Sequence, residues 1–165
     1  MSKMKLTELA RLSDFETQVK QRLEPALWQY FSGGTGDENT LTENRAAFNR
    51  LQIYPDYLGK RCEPVDMSCS FWNGKVKLPT PIGVSPTAYH ELVHPEAEIA
   101  TAKACSSRGV PLTLSCWSNR SVEQVAEHMD PSLLWMNVYL WANTTLTQQL
   151  DSVSRITILT LHDSF

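Results

Sequence analysis

At 165 residues with 42% apolar content, the chain can bury a core of its own and is too hydrophobic to be disordered by composition. Its formal net charge of -3, with acidic and basic residues interspersed, supplies no basic footprint for nucleic acid or an anionic membrane surface, and leaves a small neutral or anionic metabolite as the expected partner. No apolar run approaches the roughly 20 residues of a membrane span, and the polar start Met1-Ser2-Lys3-Met4-Lys5 is unlike a signal-peptide core, so an intracellular protein is expected.

In chain order, Ser13-Asp14-Phe15-Glu16 fits a capping box and predicts a helix carrying Phe15, Val19 and Leu23. Pro25 suits the first turn of a second helix with Leu27, Trp28 and Phe31, ended by Gly33-Gly34 through positive φ. A short helix from Asp37 or Thr40 to Phe48 follows, and the alternation over Leu51 to Tyr54 predicts a strand. Cys62 to Lys77 is turn-rich, with Trp72-Asn73-Gly74-Lys75 as a hairpin tip. No linker divides the chain, which reads as one domain with a helical segment over 1–60 and a β/α part over 61–165.

From Pro81 onward, strand and helix alternate. Ile82 to Val84 predicts a strand, Glu96 to Arg108 a helix closed by Gly109, and Val110 to Ser115 the next strand. Ser121-Val122-Glu123-Gln124 caps another helix, Leu133 to Tyr139 is a third strand, Thr144 to Val153 a third helix, and Ile156 to Leu161 a fourth strand. Near-continuous apolar strands between amphipathic helices predict a parallel sheet covered by helices.

The four cysteines, Cys62, Cys69, Cys105 and Cys116, have neither paired C-x-x-C spacing nor a histidine cluster beside them, so free thiols are expected. His90 and His94 lie four apart with Glu91 between, but Pro95 and a loop placement argue against a helical metal pair. No dinucleotide fingerprint is present, and Gly33, Gly34 and Gly36 read as a turn. Taken as residues alone, a loop such as Pro86-Thr87-Ala88 is an ordinary tight connection, a buried Ser115 or Asn137 is satisfied by nearby backbone, and Tyr30 or Tyr139 is a packing aromatic with its hydroxyl outward.

Three motifs change that reading when taken together: Tyr30-Phe31-Ser32-Gly33-Gly34-Thr35-Gly36-Asp37, Ser85-Pro86-Thr87-Ala88 and Leu114-Ser115-Cys116-Trp117. They resemble the N-terminal half of the FMN-dependent 2-hydroxy acid oxidases, the glycolate and lactate oxidase family, and the resemblance runs over nearly the whole chain after about Leu12. It implies an α/β fold in which N-terminal helices precede about half of a (β/α)₈ barrel, truncated relative to the roughly 250 residues of a whole one. In full-length relatives several more residues separate the third helix from the fourth strand, whereas Val153-Ser154-Arg155 runs almost directly into Ile156, which suggests a deletion or an altered exon junction.

The resemblance also implies a chemistry: FMN-dependent oxidation of a small 2-hydroxy acid to the 2-oxo acid, with O₂ reduced to hydrogen peroxide. It places Tyr30 at the substrate carboxylate, Tyr139 near its hydroxyl and Trp117 in the pocket wall. Pro86, Thr87 and Ala88 would lie against the flavin near N5, Ser115 would donate to a flavin carbonyl, and Thr160 would end the fourth strand near the ring. Asn137 stands where relatives carry a glutamine, and His162-Asp163-Ser164 departs from their Asp-Thr-Pro. Trp28, Trp72, Trp135 and Trp141 read as packing residues. The histidine base, arginine clamp, lysine and phosphate site come from later strands in the family. This chain alone is therefore expected to be inactive and to form a homo-oligomer or pair with a full-length subunit. The alternative is a non-catalytic isoform or pseudoenzyme that associates with such a subunit. Peroxisomal or cytoplasmic placement is expected, although Asp163-Ser164-Phe165 is not an S-K-L-type address.

Overall fold

The computed structural model describes residues 9–55, 64–71, 73–139, 142–145 and 147–149. The chain divides into two compact units, Met1–Cys62 and Glu63–Phe165.

The first unit contains helices α1 (Leu12–Lys20), α2 (Pro25–Ser32) and α3 (Asn39–Ala46), the last running into a single 3₁₀ turn over Ala47–Arg50. Helix α1 starts earlier than the expected Ser13 cap. The Asp14 carboxylate reaches back to accept from the Ala10 and Arg11 backbone N–H groups at 3.1 and 2.9 Å, so Arg11 is the cap and Ser13 falls inside the first turn. A charged acceptor near the helix N-terminus outcompetes a serine hydroxyl for those free donors. The same hydrogen bonds, with that from Arg11 foremost, hold the Asp14 carboxyl below the ordinary carboxylate range.

Pro25 occupies the first turn of α2, as expected. Gly33 ends α2 in an extended conformation, with φ −83°, rather than by positive φ. Its lack of a side chain matters for another reason: a Cβ there would sit 2.8 Å from the Gln29 carbonyl oxygen, which already accepts the Gly33 N–H. The left-handed glycine of this turn is Gly36, at φ 61°. Leu51 to Tyr54 is exposed coil rather than a strand, because no neighbouring strand pairs with it among the described residues and an unpaired β segment has no ladder to hold it.

The second unit opens with a hairpin. Strands β1 (Cys69–Phe71) and β2 (Val76–Leu78) pair antiparallel, with Cys69 opposite Leu78, and Asn73 and Gly74 take positive φ at the tip. Helix α4 (Glu98–Arg108) follows, then β3 (Leu112–Leu114), α5 (Val122–Ala126) and β4 (Leu134–Met136). Strands β3 and β4 run parallel, with Leu112 opposite Leu134 and Leu114 opposite Met136. The expected strand at Ile82 to Val84 shrinks to one parallel bridge between Val84 and Leu112, held by Val84 N–H to Pro111 O at 2.8 Å and Thr113 N–H to Val84 O at 2.9 Å. Pro79, Pro81 and Pro86 crowd this segment, and proline cannot donate to a ladder. Ser121 caps α5 through a reciprocal box with Gln124, as its sequence predicts. The backbone is again helical at 144–145 and 147–149, where a third helix was expected. The expected fourth strand, Thr160, His162 and the suspected deletion before Ile156 lie outside the described residues.

Alternation along the ladder separates its two faces. Leu112, Leu114 and Leu134 face a core completed by Ala102 and Cys105 of α4, by Val122 and Val125 of α5, and by Val76 and Leu78 of the hairpin. Thr113 and Trp135 share the opposite face. Gly109 closes α4 at φ 63°, and a Cβ there would lie 3.2 Å from Pro79 Cγ. Gly109→Ala should therefore destabilise the protein by about 1 kcal/mol, since the left-handed cap and the proline contact both disfavour a side chain. Thermal unfolding monitored by circular dichroism would check this, and an unchanged or raised midpoint would remove the argument.

Candidate functional site

In a parallel α/β arrangement, the loops that follow the strands gather at one end of the sheet. Three such loops meet here. Asn137 donates its backbone N–H to Leu114 O at 2.8 Å, which extends the β3–β4 ladder by one step and places Ser115 and Asn137 beside one another. The period of two carries both onto the face that holds Thr113 and Trp135. Cys116 lies against the Tyr139 backbone, which hydrogen-bonds its thiol. Tyr89, next to Ala88, donates its backbone N–H to Trp117 O at 3.2 Å. Thus Pro86-Thr87-Ala88, Ser115-Cys116-Trp117 and Asn137 to Tyr139 share one end of the sheet, as the strand order required.

Ser115 is buried, and its Oγ accepts the Trp117 backbone N–H at 3.1 Å. A hydroxyl retains one donor after accepting, so Ser115 can still give a hydrogen bond. Asn137 is half-buried. Pro86 and Thr87 are exposed and Ala88 is half-buried, with Thr87 Oγ1 donating to Ser85 O at 3.4 Å. Trp117 and Tyr139 remain 44% and 52% exposed, far more than core aromatics would be. On the same side, Gly83, Val84, Ser85, Pro86, Pro111, Thr113 and Trp135 line a recess of about 180 Å³. Trp135, expected as a packing residue, is part of that wall. Tyr30 belongs to the first unit, is 54% exposed, and stands edge to face with Phe31 at 5.0 Å between ring centres.

A wider groove of about 500 Å³ runs along α4, lined by Val84, Val93, Ala97 and Ala104 among others. None of the expected site residues lines it. His90 and His94 border it, but each has a local partner: His90 Nδ1 pairs with Thr101 Oγ1 at 3.2 Å, and His94 Nδ1 accepts the Glu96 N–H at 3.2 Å. Among the described residues no group of three or more His, Cys, Asp or Glu could hold a metal, and no helix is long and apolar enough to cross a membrane.

How the loops are fixed is not legible from the residues in chain order. Glu98, at the start of α4, is 1% exposed, and its Oε1 accepts the backbone N–H groups of His90 at 3.3 Å and Asn119 at 3.1 Å. Asn119 Oδ1 in turn accepts the Glu91 N–H at 3.0 Å, and Arg120 reaches Glu91 and the Pro95 carbonyl. A glutamate in the first turn of a helix is commonplace, so only contacts 8 and 21 residues away mark this one.

Burial pushes the thiols of Cys105 and Cys116 up, in the second case against the Tyr139 backbone hydrogen bond. A raised value means less thiolate at a given pH. Iodoacetamide at pH 8 should therefore modify both more slowly than free cysteine, and urea should abolish the difference. Peptide mapping by mass spectrometry would show it, and rapid native labelling of Cys105 would contradict the buried placement.

The profile of the family described as FMN-dependent dehydrogenase matches residues 19–158. The chain is 34% identical over 145 residues to 2-Hydroxyacid oxidase 1 of Homo sapiens, an alignment covering 88% of this chain and 38% of that protein. Glycolate oxidase of Spinacia oleracea is 34% identical over 143 residues, covering 87% of this chain and 38% of that protein. A crystal structure of mandelate oxidase with (S)-4-hydroxymandelic acid superposes with a TM-score of 0.77 at 27% identity, covering 90% of this chain and 42% of that one. The chain thus spans well under half the length of these relatives.

Proposed function

Because the chain belongs to the FMN-dependent dehydrogenase family, we propose that the face bearing Ser115 and Asn137 holds one edge of an FMN isoalloxazine for the oxidation of a small 2-hydroxy acid. The observation that carries this reading is the meeting of three loops, after Val84, β3 and β4, with small or polar residues turned to one open face. In this reading the parallel order of Val84, β3 and β4 is the start of a (β/α)₈ barrel, and O₂ takes the electrons, forming hydrogen peroxide.

The residues fit part of the group. The recess beside Pro86 is lined by Gly83 and Ser85, which allow close approach of a planar ring, while Ser115 retains a hydroxyl donor and Asn137 an amide. At about 180 Å³ the recess suits one edge of a tricyclic ring rather than a whole FMN. When bound, FMN accepts the electron pair taken from the substrate's carbinol carbon. This chain's residues bind and orient. Pro86, Thr87 and Ala88 would hold the ring face, Ser115 would supply a hydroxyl donor to a ring carbonyl, and Asn137 would supply its amide to the ring edge. Trp117 would wall the substrate and Tyr139 would present its hydroxyl to the acid; for Tyr30, in the first unit, the resemblance alone suggests a role at the carboxylate. Thr160, which the resemblance adds to the ring contacts, lies outside the described residues. No base is assigned among the described residues, since His90 and His94 are engaged elsewhere.

Incubation with FMN followed by desalting tests the reading. A retained flavin band near the visible maximum supports it, and bleaching on anaerobic addition of glycolate, lactate or mandelate shows turnover of the first half-reaction. A colourless protein overturns cofactor binding by this chain. A second reading takes the chain as a non-catalytic partner of itself or of a full-length subunit. Co-purification with an intact family member would support that, and a monodisperse monomer would count against it.

Asn137 offers a finer test. It stands where relatives carry glutamine, one methylene longer, so Asn137→Gln should restore reach to the ring and tighten FMN binding. A single added hydrogen bond of about 0.5–1.5 kcal/mol corresponds to roughly a 2- to 12-fold gain. Flavin fluorescence titration measures it, and weaker binding by the glutamine variant would place the amide away from the ring.

A further inference from the structure

We infer that Glu98 is a positioning residue: it joins the loop after Val84 to the loop after β3 and thereby sets the orientation of the Tyr89–Trp117 wall. What that wall positions rests on the flavin reading above.

The two loops meet along a line of bonds. Tyr89 N–H reaches Trp117 O at 3.2 Å. One residue on, the His90 N–H and the Asn119 N–H converge on a single Glu98 oxygen, at 3.3 and 3.1 Å. One residue further, the Glu91 N–H meets Asn119 Oδ1 at 3.0 Å. Three consecutive backbone donors, at 89, 90 and 91, are thus spent across the gap, and only the middle one needs a side chain from a third element. The first of these residues, Tyr89, is held at φ 57° and ψ 44°, a left-handed conformation that non-glycine residues seldom adopt. Such a conformation persists where its surroundings over-determine it. Here it turns the Tyr89 ring onto Trp117, with centres 6.4 Å apart and planes at 46°.

Glu98 is suited to the task by its place. It begins α4, where the helix dipole favours a negative group, and α4 is anchored in the core by Ala102 and Cys105. An element anchored in the core therefore carries the acceptor, and the two loops carry the donors. Its second oxygen, Oε2, is buried and has no hydrogen-bond partner among the described residues. Burying a carboxyl oxygen in this way is unfavourable, so the bonds made by Oε1 are what hold the group in place. The preceding Ala97 is also left-handed in φ, at 50°, and 1% exposed, so the chain enters the helix under strain in the geometry that delivers Glu98 inward.

The test is the indole N–H resonance of Trp117 in ¹⁵N-labelled protein, assigned by its loss in Trp117→Phe, together with amide exchange at His90 and Asn119. Glu98→Leu should shift the Trp117 resonance and speed exchange at both amides by about tenfold or more, the factor expected when a bond of roughly 1.4 kcal/mol is lost. Glu98→Gln, which keeps one side-chain oxygen, should restore the Trp117 position. Val125→Ala, a truncation of a fully buried α5 side chain, should lower stability while leaving the Trp117 resonance in place. If Glu98→Leu does not fold, Glu98→Asp, one methylene short of both amides, carries the same expectation in reduced degree. An unmoved Trp117 resonance in the leucine or aspartate variant, or an equal shift in Val125→Ala, would overturn the inference. Failure of the wild-type chain to take up FMN would overturn the flavin reading separately, since neither readout needs the cofactor.

Discussion

Leu134→Ala should destabilise the C-terminal unit by about 2–5 kcal/mol, the range found when a fully enclosed leucine loses its branched end. Leu134 is 0% exposed and is the largest of the fully buried side chains. It sits opposite Leu112 in the parallel ladder and in the same core as Val125, Val122 and Leu78. Strand on one side and helix on the other limit collapse into the vacated space, which favours the upper part of the range. A total stability of about 5–15 kcal/mol is typical of a small domain, so this one change would remove a large fraction of it. Urea unfolding followed by circular dichroism measures the loss. A value below about 1 kcal/mol would mean that β4 is not docked on the α4–α5 layer, and with it Asn137 and Tyr139 would lose their placement.

Ser115→Ala should act twice. The Trp117 backbone N–H loses its 3.1 Å acceptor in a part-buried turn, which is expected to destabilise by about 0.5–1.5 kcal/mol. The proposed donor to the flavin carbonyl also disappears, and FMN affinity should fall roughly tenfold for a bond of about 1.4 kcal/mol. Ser115→Thr, which keeps the hydroxyl, should retain most of the affinity. The two effects separate experimentally, because stability is read by urea unfolding without cofactor and affinity by flavin fluorescence titration. Wild-type affinity in the alanine variant, with stability reduced, would confine Ser115 to shaping the turn.

The parts of this fold that the sequence announced are those decided within a few residues. Pro25 fixes a helix start through its own ring, Ser121 and Gln124 satisfy each other across one turn, and Gly109 takes the left-handed angle that ends α4. The parallel order was also legible, because strands buried on one face read as apolar runs between helices. Errors came where two local solutions compete. Ser13 and Asp14 could both cap α1, and the carboxylate prevailed. Gly33 and Gly36 are both in the same turn, and only Gly36 needs positive φ. Leu51 to Tyr54 alternates like a strand without a partner to pair with. That Ser115, Asn137 and Trp117 follow strands was legible, because the apolar runs before them end there, but how their loops are fastened was not. Glu98 acts across the loops at 90 and 119, and nothing in the neighbourhood of a first-turn glutamate announces that reach.

The hairpin ahead of the parallel ladder bears on how segments of this family can be exchanged. Val76 and Leu78 are buried in the same core as Leu112 and Leu134, although the hairpin and the ladder are separate sheets. A chimaera joined between Leu78 and α4 would ask side chains from one parent to fit leucines from another, and the mismatch would fall in the most enclosed part of the unit. A crossover near residue 64, ahead of β1, keeps both sheets and their shared interior from one ancestor. Recombination between relatives is therefore expected to tolerate the boundary before the hairpin far better than the one after it.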